Sequence, residues 1–254
     1  MRLTRLDSSL LGFLVIFLPL YVRTTDLALS VRRAIPLLFI CMCTFIANDL
    51  DDLERDTVNH PDRPLPIGQV TAVFATSLYF AGLAAALFST RQFVTDGISF
   101  LYYALIAFSI SYSYIVEYIP SLKAPYVGVV CTLPVLIVAS WYPDETKLYL
   151  IAGSVFLLTT GRELCMDIKD RSGDVSSYLQ TLDERRVAIG AFVIEISGLG
   201  LLVLTARRLG QLIVLFTMVG LLGLAAVYWF KYGKYKPAII LLKVQFFAGL
   251  YFLV

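Results

Sequence analysis

Apolar runs and polar breaks alternate along the whole chain. Nine apolar runs stand out, at residues 8–22, 33–49, 68–89, 97–116, 124–140, 147–166, 186–205, 209–230 and 237–254. Most come close to the roughly 20 residues that an α-helix needs to cross a bilayer core. In lipid the backbone has no water to bond, so helices that satisfy their own N–H and C=O groups are the default. A closed β-barrel would require alternating segments of about ten residues, and none is visible. The pattern predicts an all-α integral membrane protein, a single domain over residues 1–254. The segment "LGFLVIFLPLYV" follows "MRLTRLDSSL" without a convincing small-residue cleavage site. It reads as the first span rather than a removable signal or transit peptide.

Composition supports this reading. Of the 254 residues, 58% are hydrophobic and 16% charged, with a mean hydropathy of +0.77. A soluble domain carries about 25% charged residues. The net charge of +2 is too small to suggest a nucleic-acid partner. The cysteines Cys41, Cys43, Cys131 and Cys165 lie in apolar runs with no metal-ligand spacing, so they read as packing residues. His60 is the single histidine, which excludes a multi-histidine metal site. No phosphate-binding glycine loop is present.

The position of charge says more than its sum. Twelve of the nineteen acids fall within residues 49–62 and 163–184. The loops after spans two, four and six carry the first acid cluster, "PSLK" and the second acid cluster. Even-numbered loops share one membrane face. Leaving aside Arg162 and Lys243 within the spans, the N-terminus and the even loops with their flanking residues hold twelve Lys and Arg, against seven for the odd loops. That excess predicts a cytoplasmic location for the acid loops.

Within "NDLDDLERD", Asp49, Asp52 and Asp56 are spaced i, i+3, i+7, and Asp167, Asp170 and Asp174 repeat that spacing. On a helix such positions share a face. Each set would therefore project a row of carboxylates if its helix continues past the membrane. Glu163 extends the second row by one turn, Asn48 adds a neutral oxygen to the first, and Asp51 points away. Carboxylates in a row repel and call for compensating cations. Arg55, Arg63, Lys169 and Arg171 are at hand. Two rows of hard oxygen donors suit Mg²⁺, which often bridges to phosphate. The bland alternative is a set of solvated loop acids at helix ends, which the repeated spacing counts against.

"NDLDDLERD" (48–56) resembles the NDxxDxxxD motif of the UbiA superfamily of intramembrane prenyltransferases, and "NHPDRPLPIG" (59–68) resembles the segment after it. "DIKDRSGD" (167–174), preceded by "GRELCM", is similar to the second acidic motif. "YSYIVEYIPSLK" (112–123) is a looser match to a tyrosine-and-lysine segment, with a different spacing. The resemblance implies nine helices around a central cavity open toward lipid. It implies Mg²⁺ and the diphosphate of an isoprenoid substrate bound by Asn48, Asp52, Asp56, Asp170 and Asp174, supported by Asp49 and Asp167. It further implies Arg63 and Lys123 as phosphate contacts, with Tyr114 and Tyr118 as candidate substrate contacts.

On this reading the chain joins an isoprenoid diphosphate to an aromatic or lipid acceptor. A terpene cyclase, in which the cation attacks its own chain, would use the same acids. A cation transporter would instead place acids in several spans, and here they collect at one face. Glu195 is the exception, near the middle of span seven. Intramembrane carboxylates are functional candidates. Glu195 reads either as a proton acceptor or orienting group for the acceptor, or as a protonated residue hydrogen-bonded between helices. The basic, aromatic "KYGKYK" (231–236) suits anionic lipid headgroups.

Overall fold

A computed structural model describes residues 5–94, 97–170 and 182–254. Among them there is no strand. The helices are α1 (Leu6–Thr24), α2 (Leu27–Asp51), the short α3 (Leu53–Asn59), α4 (Ala72–Phe93), α5 (Ser99–Tyr118), α6 (Lys123–Trp141), α7 (Thr146–Lys169), α8 (Glu184–Thr205), α9 (Leu209–Ala226) and α10 (Tyr235–Ala248). A π-helical stretch, Val227–Lys231, extends α9, and 3₁₀ turns precede α6 and follow α10.

Among the described residues, seven helical stretches are long and apolar enough to cross a membrane, those of α2, α4, α6, α7, α8, α9 and α10 with their extensions. The other two expected spans have shorter apolar helices, Ser8–Thr24 and Ser99–Tyr112. Large side chains such as Phe74, Phe80, Phe88, Phe100 and Phe216 lie exposed on the helix surfaces. Water would disfavour such surfaces, whereas hydrocarbon accepts them.

Local chemistry sets the helix ends. Asp26 caps α2 by accepting from the Leu29 amide, so that helix starts well before the apolar run. Thr71 caps α4 in the same way, accepting from Phe74. Inside the spans, hydroxyls return to the carbonyl four residues earlier, as Thr44 does to Ile40 and Thr132 to Gly128. These two hydroxyls are thereby satisfied without water.

The chain forms two compact units, Met1–Tyr118 and Ile119–Val254. In the first, α2 packs against α1, α4 and α5. Two cysteines of α2 set its seams. A Cβ on Gly12 of α1 would sit 2.5 Å from Cys41 Sγ, and one on Gly82 of α4 would sit 2.6 Å from Cys43 Sγ. The thiols thus fill space that the glycines leave. In the second unit, α7 packs against α6, α8 and α10. A Cβ on Gly161 of α7 would meet the Ala191 carbonyl oxygen and Glu195 Cγ of α8, both at 2.8 Å. The absent side chain at residue 161 permits that approach.

Candidate active site

The first acid row does not lie on one unbroken helix. α2 ends at Asp51, Asp52 has φ −86° and ψ 7°, and α3 begins at Leu53. The Asp52 amide still bonds the Asn48 carbonyl, and the Asp56 amide bonds that of Asp52. The row therefore continues past a bend. Asp49 and Asp56 are buried, with 3% of each exposed, and both bond Nη1 of Arg63. Asp52 accepts from Asn48 Nδ2 at 2.9 Å and pairs with Arg55 at 3.1 Å. Asp51 is exposed, as the helical spacing predicts.

Arg63 is delivered by the loop between α3 and α4. Its amide bonds the His60 carbonyl and its carbonyl accepts from Ile67. Gly68 takes φ +71°, the left-handed region that glycine enters without a steric cost. The turn drives Leu65 into a cluster with Ile46 and Ala75, edged by Leu50, Leu53, Val70, Leu78 and Tyr79. This apolar plug under the acid row fixes the loop that carries Arg63. Burial pushes the Asp56 carboxyl above its ordinary range. The Arg63 hydrogen bond and charge, and the charge of His60, pull it back only in part.

Arg5 also reaches this row. Its Nη2 bonds Asp49 Oδ1, and its guanidinium lies 5.2 Å from the Phe45 ring centroid. In the sequence Arg5 is one of the positive charges of the N-terminus. No spacing rule links residues 44 apart, so nothing in the sequence could have paired it with Asp49.

In the second unit, α7 carries Asp167, 5% exposed, near its end, and Asp170 follows its last residue. Lys123, the first residue of α6, pairs with Asp167 at 2.5 Å. Lys169 pairs with its neighbour Asp170. Asp174 and Arg171 lie outside the described residues. Tyr114 and Tyr118, at the end of α5, are exposed and lie against each other, with ring centroids 4.4 Å apart.

Further along α7, Arg162 pairs with Glu163 at 2.8 Å and lies over the Phe246 ring of α10. Glu195 of α8, 2% exposed, accepts from Gln245 Nε2 of α10 at 3.1 Å. This is the interhelical hydrogen bond that was one of the two readings of Glu195. Gln245 was missed in the sequence, although an amide within an apolar span is a visible signal.

Among the described residues, no three Asp, Glu, His or Cys side chains form a metal-holding group of their own. Magnesium does not need one, since it retains waters and takes one or two carboxylates together with substrate phosphates. The donors of both rows are hard carboxylate and carboxamide oxygens, which fit that ion. Each described carboxylate of the rows is paired with Arg or Lys. Each row by itself thus gathers both signs of charge, as recognition of a metal-bound polyanion requires.

The model of the UbiA prenyltransferase family matches residues 10–250. The chain is 30% identical over 154 residues to digeranylgeranylglyceryl phosphate synthase of Pyrococcus abyssi, covering 56% of this chain and 51% of that one. It is 31% identical over 149 residues to the synthase of the same name from Metallosphaera sedula, covering 55% and 50%. The chain thus spans about half the length of these curated relatives. The apo structure of a UbiA homolog from Aeropyrum pernix K1 has the same fold, with a TM-score of 0.77 at 18% identity, over 96% of each chain. With the match running through both units and both acid rows, the chain belongs to the UbiA prenyltransferase family.

Proposed function

We propose that this protein is a magnesium-dependent intramembrane prenyltransferase that transfers the prenyl group of an isoprenoid diphosphate to a lipid acceptor. The observation that carries the reading is the pair of ion-paired acid rows within a family match over residues 10–250. The relatives' name describes a glyceryl phosphate bearing two geranylgeranyl groups. Carried to this chain, it favours geranylgeranyl diphosphate as donor and a glyceryl-phosphate lipid as acceptor over an aromatic one.

Asn48, Asp52, Asp170 and Asp174 are the residues to hold the metal. When bound, magnesium supplies Lewis-acid stabilisation of the diphosphate oxygens. Arg63 and Lys123 bind the diphosphate and stabilise its growing charge as the allylic carbon–oxygen bond breaks toward oxygen. A lone pair of the acceptor hydroxyl then forms the new carbon–oxygen bond, and the hydroxyl proton leaves. The dry interior protects the allyl cation from water. All nine apolar helices cross the bilayer in this reading. The acid loops face the cytoplasm, following the lysine and arginine excess.

The test is incubation of purified protein with geranylgeranyl diphosphate, with and without a geranylgeranylglyceryl phosphate acceptor, and analysis of products by mass spectrometry. Transfer should require both substrates, stop in excess chelator, resume with Mg²⁺ and respond poorly to Zn²⁺. A cyclised product from the diphosphate alone would assign a terpene cyclase instead. Full activity in excess chelator rejects the metal.

A further inference from the structure

Two guanidiniums converge on one buried oxygen of the first acid row. Arg5 Nη2 and Arg63 Nη1 both bond Asp49 Oδ1, and Arg63 Nη1 also bonds Asp56 Oδ2. Asp49 is 4% exposed at its side chain, whereas Arg5 is 30% and Arg63 24% exposed. Nε and Nη1 of Arg5, and Nε and Nη2 of Arg63, have no protein partner among the described residues. A guanidinium presents five N–H donors in a planar fork that matches phosphate oxygens. The carboxylate therefore engages one nitrogen of each fork and leaves most of their donors for something else. Asp49 and Asp56 together balance the charge of the two guanidiniums. What the pair offers an anion is its remaining N–H donors, held side by side by Asp49.

The backbone points the same way. Arg5 has φ 39° and ψ 55°, left-handed values that strain a non-glycine residue. It stands at the N-cap of α1 without a capping side-chain bond, and its side chain goes to Asp49 instead. Arg5 precedes the residues matched by the family model, so the family pattern does not account for it.

We propose that Arg5 is a second diphosphate-binding guanidinium, and that Asp49 is the positioning residue that holds Arg5 and Arg63 side by side. The inference rests on the reading of this chain as an enzyme of prenyl diphosphates. It gives Asp49, expected to support the metal-binding residues, the role of an organiser of cations. Asp49 then acts on diphosphate affinity through the two arginines and leaves the magnesium requirement alone.

The experiment measures geranylgeranyl diphosphate binding to the full chain in excess Mg²⁺, together with the Mg²⁺ concentration that gives half-maximal binding. Arg5→Ala should weaken binding by about ten-fold or more, the usual scale for a charge-assisted hydrogen bond. Arg5→Lys should recover part of the loss, since a point charge cannot reproduce the fork. Asp49→Asn should weaken binding comparably and move the half-saturating Mg²⁺ by less than about two-fold. Arg5→Ala combined with Asp49→Asn should fall short of the product of the single effects, because the two residues act as one unit. If Arg5→Ala does not fold, Arg5→Lys and Arg5→Gln are judged in its place. Near-wild-type affinity in a folded Arg5 variant, even one that melts earlier, overturns the proposal and makes Arg5 a structural tie. So does Asp49→Asn protein that needs much more Mg²⁺ yet binds normally once Mg²⁺ is in excess. Wild-type protein that binds no prenyl diphosphate at all overturns the proposal and the functional reading together.

Discussion

Asp51 and Asp52 are chain neighbours with opposite surroundings. Asp52 is held by Asn48 and Arg55 at the bend after α2, while Asp51 is exposed. Asp52→Ala should therefore lower turnover by roughly 10²–10³-fold, the scale for losing one charge-stabilising group. Asp51→Ala should do far less, as steady-state kinetics on the folded variants will reveal. Arg63 gives a prediction in pH. Burial raises the Asp56 carboxyl and Arg63 opposes that rise, so Arg63→Ala should lift it further. A carboxyl raised in the folded state is comfortable when protonated and costs stability once it ionises. The melting deficit of Arg63→Ala, measured in chelator, should be small near pH 4 and widen toward neutrality. The acids were legible in the sequence because helical spacing is a local rule. The Arg5–Asp49 tie was not legible, because pairing across 44 residues depends on how α1 packs on α2.

The apolar period located each long helix well. It missed the break at Asp52 because that break is local hydrogen-bond geometry within a polar stretch, where hydropathy is silent. It also placed the start of α2 late, since the Asp26 cap starts the helix at Leu27 and draws in Arg32, which precedes the run. The seam between α7 and α8 was likewise invisible, because a glycine in an apolar run does not announce which neighbour it admits. Gly161→Ala should force those helices apart, at a cost of about 1–3 kcal/mol. A Cβ on Gly190 of α8 would meet nothing within 4 Å. Gly190→Ala should therefore be neutral or slightly stabilising, as alanine favours helix over glycine. Thermal unfolding of both variants in one detergent checks the contrast.

At the scale of the molecule, each compact unit contributes one acid row and at least one cation paired with it. Arg63 serves the first row and Lys123 the second. The family match runs through both units, and its motifs were readable because acids are conspicuous in so apolar a chain. Sidedness gives the prediction proper to this scale. Cysteines introduced at Glu54 and Lys236 should react with an impermeant maleimide only from the cytoplasm, and one at Lys147 only from the opposite face. Equal labelling from one side would refute the charge-based orientation. That experiment needs a background free of the native thiols, and the seams of α2 dictate how to make it. Cys41 and Cys43 act as pegs in sockets left by Gly12 and Gly82. Trimming either peg to alanine leaves a sulfur-sized gap, and adding a methyl to either glycine while the peg remains jams the joint. A serviceable thiol-free scaffold would replace Cys131 and Cys165 as well, and at the seams of α2 it would be cut in matched pairs, Cys41→Ala with Gly12→Ala and Cys43→Ala with Gly82→Ala, so that each socket narrows as its peg shortens.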